Sequence, residues 1–307
     1  MADALIDRVD RLVDVLLRHE DATPALRDPE LAPFARLAAD LRHCPVAGFR
    51  ARLRARLERK AVVIVEQELA TVTPYLIVPD GRLAEFLART FGVVESFSAR
   101  GSAGGMHREL QLGTSTLMIG ELAGAEVRPM ELHVYVDDVD TTFRTALEAG
   151  ATSIGEPANR PYGERSGFVR DVFGNHWFIA RALRGPATPE GLRTVTPFLH
   201  VATIPAYLDF LGLAFGATAQ RLEDAPGGRV VYARARVGNS VIELGEATET
   251  AASMPGFLHL KVANVDAVYE QAVTAGAHSI AAPSLQPHGR TATVEDPMGN
   301  QWFIAGS

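Results

Sequence analysis

Carboxylate and imidazole side chains occur at close spacing inside apolar stretches of this chain. Glu131 and His133 are separated by one residue in the segment ELHVYV, and His259 lies in the similar segment FLHLKV. Glu243 and His200 occupy two further apolar stretches. Such groups can ligate a divalent metal ion, and a glutamate in apolar surroundings can act as a general base because burial raises its pKa. Glu131 and Glu243 are therefore the candidate catalytic residues.

An internal duplication sets the positions of these residues. Residues 169–180 read VRDVFGNHWFIA, and residues 294–305 read VEDPMGNQWFIA. The match extends outward, so one copy runs from about residue 73 to 181 and the other from about 196 to 307, with residues 185–189 as the linker. Within each copy the order of apolar runs and Gly or Pro breaks predicts two βαβββ units. The predicted fold class is α+β, with four such units forming two domains.

The first copy illustrates the predicted elements. Its first unit contains a strand at 73–78, a helix at 81–91 and strands at 94–99, 107–112 and 115–120. Its second unit contains a strand at 131–136, a helix at 139–149 and strands near 152, at 166–171 and at 176–180. Asp137 and Asp138 precede the second helix and are interpreted as turn and capping residues rather than catalytic carboxylates.

Two arginines lie at matching positions ahead of the last strand of each copy. Arg165 follows Tyr162 closely, and Arg290 is its counterpart. A guanidinium at a cavity mouth can bind a carboxylate or phosphate through two parallel hydrogen bonds. The alternative for each is a structural salt bridge, which in the first copy would join Arg165 to Glu164 or Asp171.

Composition excludes several classes of function. The net charge of −7 argues against a general nucleic-acid binder, which needs a basic face. The single cysteine, Cys44, excludes a disulfide framework. The first residues carry acids where a signal peptide needs a basic start, and no apolar run approaches membrane-spanning length. We expect a soluble cytoplasmic protein with no membrane partner.

Residues 1–65 are predicted to form a small helical extension. Apolar residues recur at helical spacing in residues 3–19, and residues 31–41 and 49–57 give two more helices. The last of these is rich in arginine, which we interpret as a solvated face. One hypothesis for this extension is that it is an interaction module that docks a partner or a second copy of the chain, the latter forming a homodimer.

The four units, the helix start VDDVD at 136–140 and the closing motif DPMGNQWF at 296–303 together resemble the vicinal oxygen chelate superfamily. This group includes glyoxalase I, bleomycin-resistance proteins and extradiol dioxygenases. The resemblance covers roughly residues 73 to 307 and implies two glyoxalase-like domains. Tyr162-Gly-Glu-Arg165 looks more like the small glyoxalase-like proteins than like the true dioxygenases.

The resemblance also implies where a divalent metal would be held. Carrying the family's ligand positions over gives Thr73, Met118, Glu131 and Phe178 in the first copy, and Thr196, Glu243, Phe257 and Phe303 in the second. Only the two glutamates can ligate, so the usual set is incomplete in both copies. If the second unit of one copy pairs with the first unit of the other, Glu131 and Glu243 share a cavity. His133, His200 or His259 would then complete a metal site.

Two functions remain open. The first is binding of a small, partly apolar molecule in a concave β cavity, with no cofactor and no catalysis. The residues expected to contact the ligand are Met118, Tyr162, Arg165, Trp177, Phe178, Phe257, Arg290, Trp302 and Phe303. For the two tryptophans the alternative is core packing with the indole N–H satisfied. The second function is a metal-dependent lyase, isomerase or dioxygenase of the glyoxalase type that uses Glu131 or Glu243.

Overall fold

The computed structural model describes residues 70–101, 104–249 and 251–306. The predicted helical extension, Cys44 and the proposed dimer contact lie outside the described residues. None of the described helices combines the length and the apolar character that a membrane span requires.

The described elements form four βαβββ units, as predicted. The first contains β1 (Val72–Val78), α1 (Arg82–Phe91), β2 (Val94–Arg100), β3 (Met106–Leu112) and β4 (Ser115–Glu121). The second contains β5 (Glu131–Tyr135), α2 (Val139–Glu148), β6 (Thr152–Asn159), β7 (Glu164–Arg170) and β8 (His176–Ala182). The third contains β9 (Val195–Val201), α3 (Ile204–Phe215), β10 (Thr218–Ala225), β11 (Arg229–Val237) and β12 (Ser240–Glu246). The fourth contains β13 (Phe257–Val262), α4 (Val265–Thr274), β14 (His278–Gln286), β15 (Gly289–Glu295) and β16 (Gln301–Gly306).

Each sheet takes one unit from each sequence copy. Sheet 1 has the order β14-β15-β16-β13-β1-β4-β3-β2 and joins the fourth unit to the first. Sheet 2 has the order β10-β11-β12-β9-β5-β8-β7-β6 and joins the third unit to the second. The central seams are antiparallel, with Thr73 opposite His259 in sheet 1 and Thr196 opposite His133 in sheet 2. The boundaries of the sheets therefore differ from those of the repeats, and Glu131 and Glu243 lie in the same sheet.

The helices begin and end at residues suited to those positions. Asp138 accepts a hydrogen bond from the backbone N–H of Thr141 at 3.0 Å, and Asn264 accepts one from Ala267 at 3.1 Å. The capping interpretation of Asp138 is confirmed. Gly92 and Gly216 follow α1 and α3 at φ 66°, a left-handed conformation that glycine adopts without strain.

Successive side chains of β8 and β16, the last strands of the two copies, point alternately to the helix-covered core and to the opposite face of the sheet. Trp177 and Ile179 of β8 are fully buried, whereas His176 and Phe178 between them are partly exposed on the other face. The Trp177 ring packs against Phe91 of α1 with ring centroids 5.5 Å apart. Trp302 of β16 packs in the same way against Phe215 of α3, at 4.5 Å. Both tryptophans thus belong to the helix-facing cores.

The duplicated closing motif forms the same turn in both copies. Asp171 accepts hydrogen bonds from the backbone N–H groups of Phe173 and Asn175 and from the indole N–H of Trp177, at 2.8 to 3.0 Å. Asp296 binds the equivalent groups and also accepts a hydrogen bond from Tyr207 at 2.6 Å. The first motif lacks the proline of the second, so the carboxylate contacts, rather than the proline, hold the turn.

Candidate functional site

A cavity of about 270 Å³ opens on the concave face of sheet 2. It is lined by His133, Tyr162, Glu164, Phe168, Phe178, Phe198, His200, Glu223, Tyr232, Arg234 and Glu243. Seven strands, β5 and β7 to β12, supply all of these side chains except that of Tyr162, and along the inner strands they alternate with core residues. We call this space the sheet 2 cavity.

His133 lies between two carboxylates at the base of the cavity. Its Nδ1 donates to Oε2 of Glu243 at 2.9 Å, and its Nε2 lies 3.4 Å from Oε2 of Glu164. Burial alone would lower the pKa of His133, but the charges of Glu243 and Glu164 outweigh it and raise that pKa to about 9. His133 is therefore an imidazolium at neutral pH.

Glu243 is the most heavily bonded carboxylate of the site. The hydroxyl of Tyr232 and the guanidinium of Arg234 both donate to its Oε1, while His133 donates to Oε2. Burial opposes its ionisation, yet the charge and hydrogen bond of His133, together with these donors, hold the pKa of Glu243 below its ordinary value. A carboxylate with a lowered pKa, whose two oxygens already accept hydrogen bonds, has a weak affinity for a further proton and is poorly suited to act as a general base.

Glu164 and Tyr135 complete the other side of His133. The Tyr135 hydroxyl donates to Oε1 of Glu164 at 3.2 Å, and the Tyr135 ring stacks on the His133 imidazole with centroids 4.7 Å apart. Burial and the charge of Glu243 raise the pKa of Tyr135, so its hydroxyl remains protonated. Within the described structure, Oε2 of Glu164 and Nε2 of His133 are buried and have no hydrogen-bond partner.

Glu131 forms a separate network beside the cavity. His176 donates to its Oε1 at 3.1 Å, and His200 donates to its Oε2. Burial would raise the pKa of Glu131, but the two histidines outweigh it and lower that pKa. Glu131 is therefore committed to two neighbouring imidazoles, and only His200 of this group lines the cavity.

Aromatic rings form the walls above the charged base. Phe178 lies with its ring centroid 5.5 Å from that of Phe198 and 4.9 Å from that of Phe168, in edge-to-face arrangements. Phe178 also meets the edge of His133 at 5.8 Å. Tyr162 lies at the mouth, where more than half of it is exposed. The cavity thus combines apolar walls with a polar floor.

The equivalent face of sheet 1 lacks the two carboxylates that flank His133 in sheet 2. Met118 stands at the position of Glu243, and Gly289 at the position of Glu164. Tyr75 packs against Phe303 with centroids 5.3 Å apart, so aromatic side chains occupy the face. His259, the counterpart of His133, has no carboxylate in hydrogen-bond contact, and its Nδ1 is buried without a partner in the described structure.

Several residues expected to bind a ligand lie elsewhere. Met118, Phe257, Phe303 and His259 belong to sheet 1, away from the sheet 2 cavity. The assignment of Trp177 and Trp302 to a ligand surface is corrected, because both indoles are fully buried on the helix side and donate to Asp171 and Asp296.

The two arginines are also engaged outside the cavity. Arg165 donates through Nε to Asp140 at 2.6 Å, and Arg290 donates to Asp266 at 2.5 Å. Each aspartate lies in the first turn of a helix, where its charge complements the helix dipole. The salt-bridge alternative therefore describes both arginines, but the partner is Asp140 rather than Glu164 or Asp171.

The sequence interpretation missed Glu164, Tyr232, Arg234 and Phe198. The duplication contains a signal for three of them, because their counterparts in the other copy are different residue types. Glu164 aligns with Gly289, Tyr232 with His107, and Arg234 with Glu109. Comparing the copies at every second residue of the inner strands, rather than only at the family's ligand positions, would have singled out these residues.

The residues present do not fit a divalent metal. In sheet 2 the family's ligand positions hold Glu131, Phe178, Thr196 and Glu243, and neither phenylalanine nor threonine supplies a suitable ligand here. Both ring nitrogens of His133 face carboxylates, so they offer no free lone pair at neutral pH. Among the described residues no group of three His, Cys, Asp or Glu side chains has the arrangement of a metal site.

Comparisons with known proteins place the chain in a family. The model of the Glyoxalase/Bleomycin resistance protein/Dioxygenase superfamily matches residues 194–304. An uncharacterized protein of Mycobacterium bovis, Mb0911c, is 31% identical over 127 residues, which cover 37% of this chain and 84% of that protein. The uncharacterized protein Rv0887c of Mycobacterium tuberculosis is 31% identical over 127 residues, covering 37% of this chain and 75% of that protein.

Solved structures show the same architecture over most of the chain. Glyoxalase I from Zea mays superposes with a TM-score of 0.61 at 16% identity, covering 76% of this chain and 92% of that one. A putative dioxygenase from Bacillus subtilis gives a TM-score of 0.52 at 14% identity, covering 76% and 84%. At such identities the likeness concerns the fold alone. With its four βαβββ units and the sequence matches, the chain belongs to the glyoxalase/bleomycin resistance protein/dioxygenase superfamily.

Proposed function

We propose that the protein binds a small, partly aromatic molecule in the sheet 2 cavity without a metal ion. The observation that carries this proposal is the asymmetry of the duplication. Sheet 2 keeps a cavity with aromatic walls and a charged floor, whereas the equivalent face of sheet 1 carries Met118 and Gly289 in place of Glu243 and Glu164.

The size and composition of the cavity indicate the kind of ligand. Its volume of about 270 Å³ is near the lower end of the range for ligand pockets, roughly 300 to 1,000 Å³. Aromatic walls favour a flat apolar body. The lining carboxylates of Glu164, Glu223 and Glu243 outnumber the cations of His133 and Arg234, so a neutral or cationic ligand is favoured over an anionic one.

A second groove supports the choice of sheet 2 by contrast. It has a volume of about 640 Å³ and lies on the outer side of α3, where Leu208, Leu213 and Leu222 are among its lining residues. Among the described side chains that line it, Asp209 is the one that is ionisable. A wide apolar surface of this kind lacks the few convergent polar groups that fix the orientation of a small ligand.

Ligand-observed NMR with toluene, benzylamine and benzoate tests the proposal. We expect toluene and benzylamine to bind more tightly than benzoate. Phe178→Ala should weaken toluene binding roughly tenfold, because burial of such a ring contributes about 1.5 to 3 kcal/mol. The matched control is Phe303→Ala, which removes the equivalent ring from sheet 1.

The control variant should leave toluene binding unchanged. Equal losses in the two variants, or no loss in either, would contradict a binding site in sheet 2. Circular dichroism and urea unfolding of both variants establish that each is folded under the conditions of the NMR measurement.

A further inference from the structure

Two buried polar atoms at the floor of the sheet 2 cavity have unused hydrogen-bonding capacity. Nε2 of His133 and Oε2 of Glu164 lie 3.4 Å apart, yet they are not aligned for a hydrogen bond with each other, and neither has another partner in the described structure. Their side chains are only 10% and 11% exposed. Buried polar atoms without partners are rare because each costs about 1 to 3 kcal/mol.

The neighbouring contacts assign a role to each atom. Nδ1 of His133 faces the Glu243 carboxylate, which only accepts, so Nδ1 carries a proton. Nε2 faces the second carboxylate, Glu164, and the raised pKa of His133 gives this nitrogen a proton as well. The floor therefore presents one N–H donor next to one carboxylate acceptor.

The other groups packed around His133 do not alter this assignment. Tyr135 on the same strand stacks on the ring and donates to Oε1 of Glu164, which leaves Oε2 available. Phe178 on β8 and Phe198 on β9 present ring edges at 5.8 and 6.3 Å and carry no charge. On β11, the Arg234 guanidinium and the neutral hydroxyl of Tyr232 both donate to Glu243.

We propose that the ligand of the sheet 2 cavity carries a hydroxyl group, whose oxygen accepts a hydrogen bond from Nε2 of His133 and whose proton is donated to Oε2 of Glu164. This inference rests on the proposed function, because it assumes that a small molecule enters the cavity. A single hydroxyl oxygen is both donor and acceptor, so it satisfies both orphaned atoms at once.

Other common polar groups fit this pair less well. An ether oxygen accepts from His133 but leaves Glu164 without a donor. A carboxylate is repelled by Glu164, and an ammonium group, which only donates, leaves the N–H of His133 without an acceptor. With the aromatic walls, these restrictions point to a neutral aromatic molecule with a hydroxyl on its ring.

Three probes that share one ring separate these contributions: phenol, anisole and toluene. Phenol supplies a donor and an acceptor, anisole only an acceptor, and toluene neither. We expect the wild-type protein to bind phenol at least roughly tenfold more tightly than anisole, since a hydrogen bond to a charged group contributes about 1.5 to 3 kcal/mol. Ligand-observed NMR gives the dissociation constants.

Glu164→Ala removes the acceptor and leaves a side chain close in size to Gly289, its counterpart in sheet 1. In this variant phenol should bind within about twofold of anisole, because the acceptor that distinguishes the two probes is gone. The matched control is Glu109→Ala, which removes a carboxylate from an inner strand of sheet 1 and should retain the full preference for phenol.

A second measurement does not depend on any variant being folded. With ¹⁵N-labelled histidine in the wild-type protein, phenol should shift the Nε2 resonance of His133, and toluene should not. Equal binding of phenol and anisole by the wild type, or a preference for phenol that survives in Glu164→Ala, would overturn the inference while leaving the proposed function standing. If the wild-type protein bound none of the three probes, or if Phe178→Ala bound toluene as tightly as the wild type, the proposed function would instead be overturned.

Discussion

His133 and His259 occupy matching places in the two copies, each on the strand that forms the central seam of its sheet. Their electrostatic surroundings are opposite. Glu243 and Glu164 raise the pKa of His133 to about 9, whereas burial and the charge of His107 lower the pKa of His259 to about 4. The two copies differ in the carboxylates around this histidine. At neutral pH His133 is therefore a cation, whereas His259 is neutral.

The two histidines should titrate at opposite ends of the accessible pH range. In a protein labelled with ¹³C and ¹⁵N at histidine, we expect one side chain to change its shifts near pH 9 and another near pH 4. The variants His133→Gln and His259→Gln assign these resonances. Titration of both residues near the ordinary histidine pKa, about 6.5, would contradict the described surroundings.

Protonation of His133 should make a pH-dependent contribution to stability. Its pKa is about 9 in the folded protein and about 6.5 in the unfolded chain, so the contribution is complete below pH 6.5 and is lost as the pH rises through about 9. The unfolding free energy of wild type minus that of His133→Gln should therefore decrease across this window. Urea unfolding at several pH values measures the difference, and a constant difference would count against the prediction.

Glu243→Met gives sheet 2 the residue that sheet 1 carries at the matching position. It removes the acceptor of His133, Tyr232 and Arg234 together and leaves buried cationic groups without their counter-charge. We expect a loss of about 3 to 5 kcal/mol in the free energy of unfolding. As a control, Met118→Leu in sheet 1 should cost less than about 1.5 kcal/mol. Equal effects of the two substitutions would show that the network around Glu243 is dispensable.

The hydroxyl of Tyr207 should stabilise the turn around Asp296. Tyr207 is buried and donates to Asp296 at 2.6 Å, so Tyr207→Phe removes one donor from a buried carboxylate. The expected cost is about 1 to 3 kcal/mol by urea unfolding. Tyr269→Phe provides the matched control, because its hydroxyl donates to Ser279 at 2.7 Å in an exposed position. The control should change the free energy of unfolding little, and a loss as large as that of Tyr207→Phe would speak against the role given to Asp296.

A methyl group at Gly245 should disturb ligand binding. A Cβ at this position would lie 2.9 Å from both Phe198 Cε1 and His200 Cδ2, so these two lining side chains must move in Gly245→Ala. We expect weaker toluene binding in ligand-observed NMR. The counterpart Gly120→Ala would place its Cβ 3.1 Å from the Tyr75 hydroxyl in sheet 1, and toluene binding should not change. A reversed pattern would locate the ligand in sheet 1.

The units and their boundaries could be predicted from the sequence because they rest on local signals. Glycines and prolines end the strands, and the strand predicted at 73–78 is Val72–Val78 in the structure. The turn at Asp171 likewise depends on a residue type that bonds its own backbone. Such signals act over a few residues, so they are visible in one sequence.

The site was less predictable because it depends on which strands become neighbours. Glu131 and Glu243 do lie in one sheet, because the second unit of one copy pairs with the first unit of the other, but each is engaged by histidine rather than by the other glutamate. β7 begins at Glu164, two residues ahead of the strand predicted at 166–171, so the predicted pattern does not place Glu164 on the inner face of a strand. Side-chain contacts between distant strands leave no periodic signal in the sequence.

The exchange of units between the copies also orders the folding of the chain. The seam of sheet 2 joins β5 to β9, whereas the seam of sheet 1 joins the first described strand, β1, to β13. In the sequence, β5 and β9 both lie between β1 and β13. During synthesis, the edge of β1 that does not face β4 therefore has no strand partner until the last unit has been made, and an edge of this kind is open to aggregation. Sheet 2, which holds the charged cavity, is the first sheet that can close as the chain leaves the ribosome.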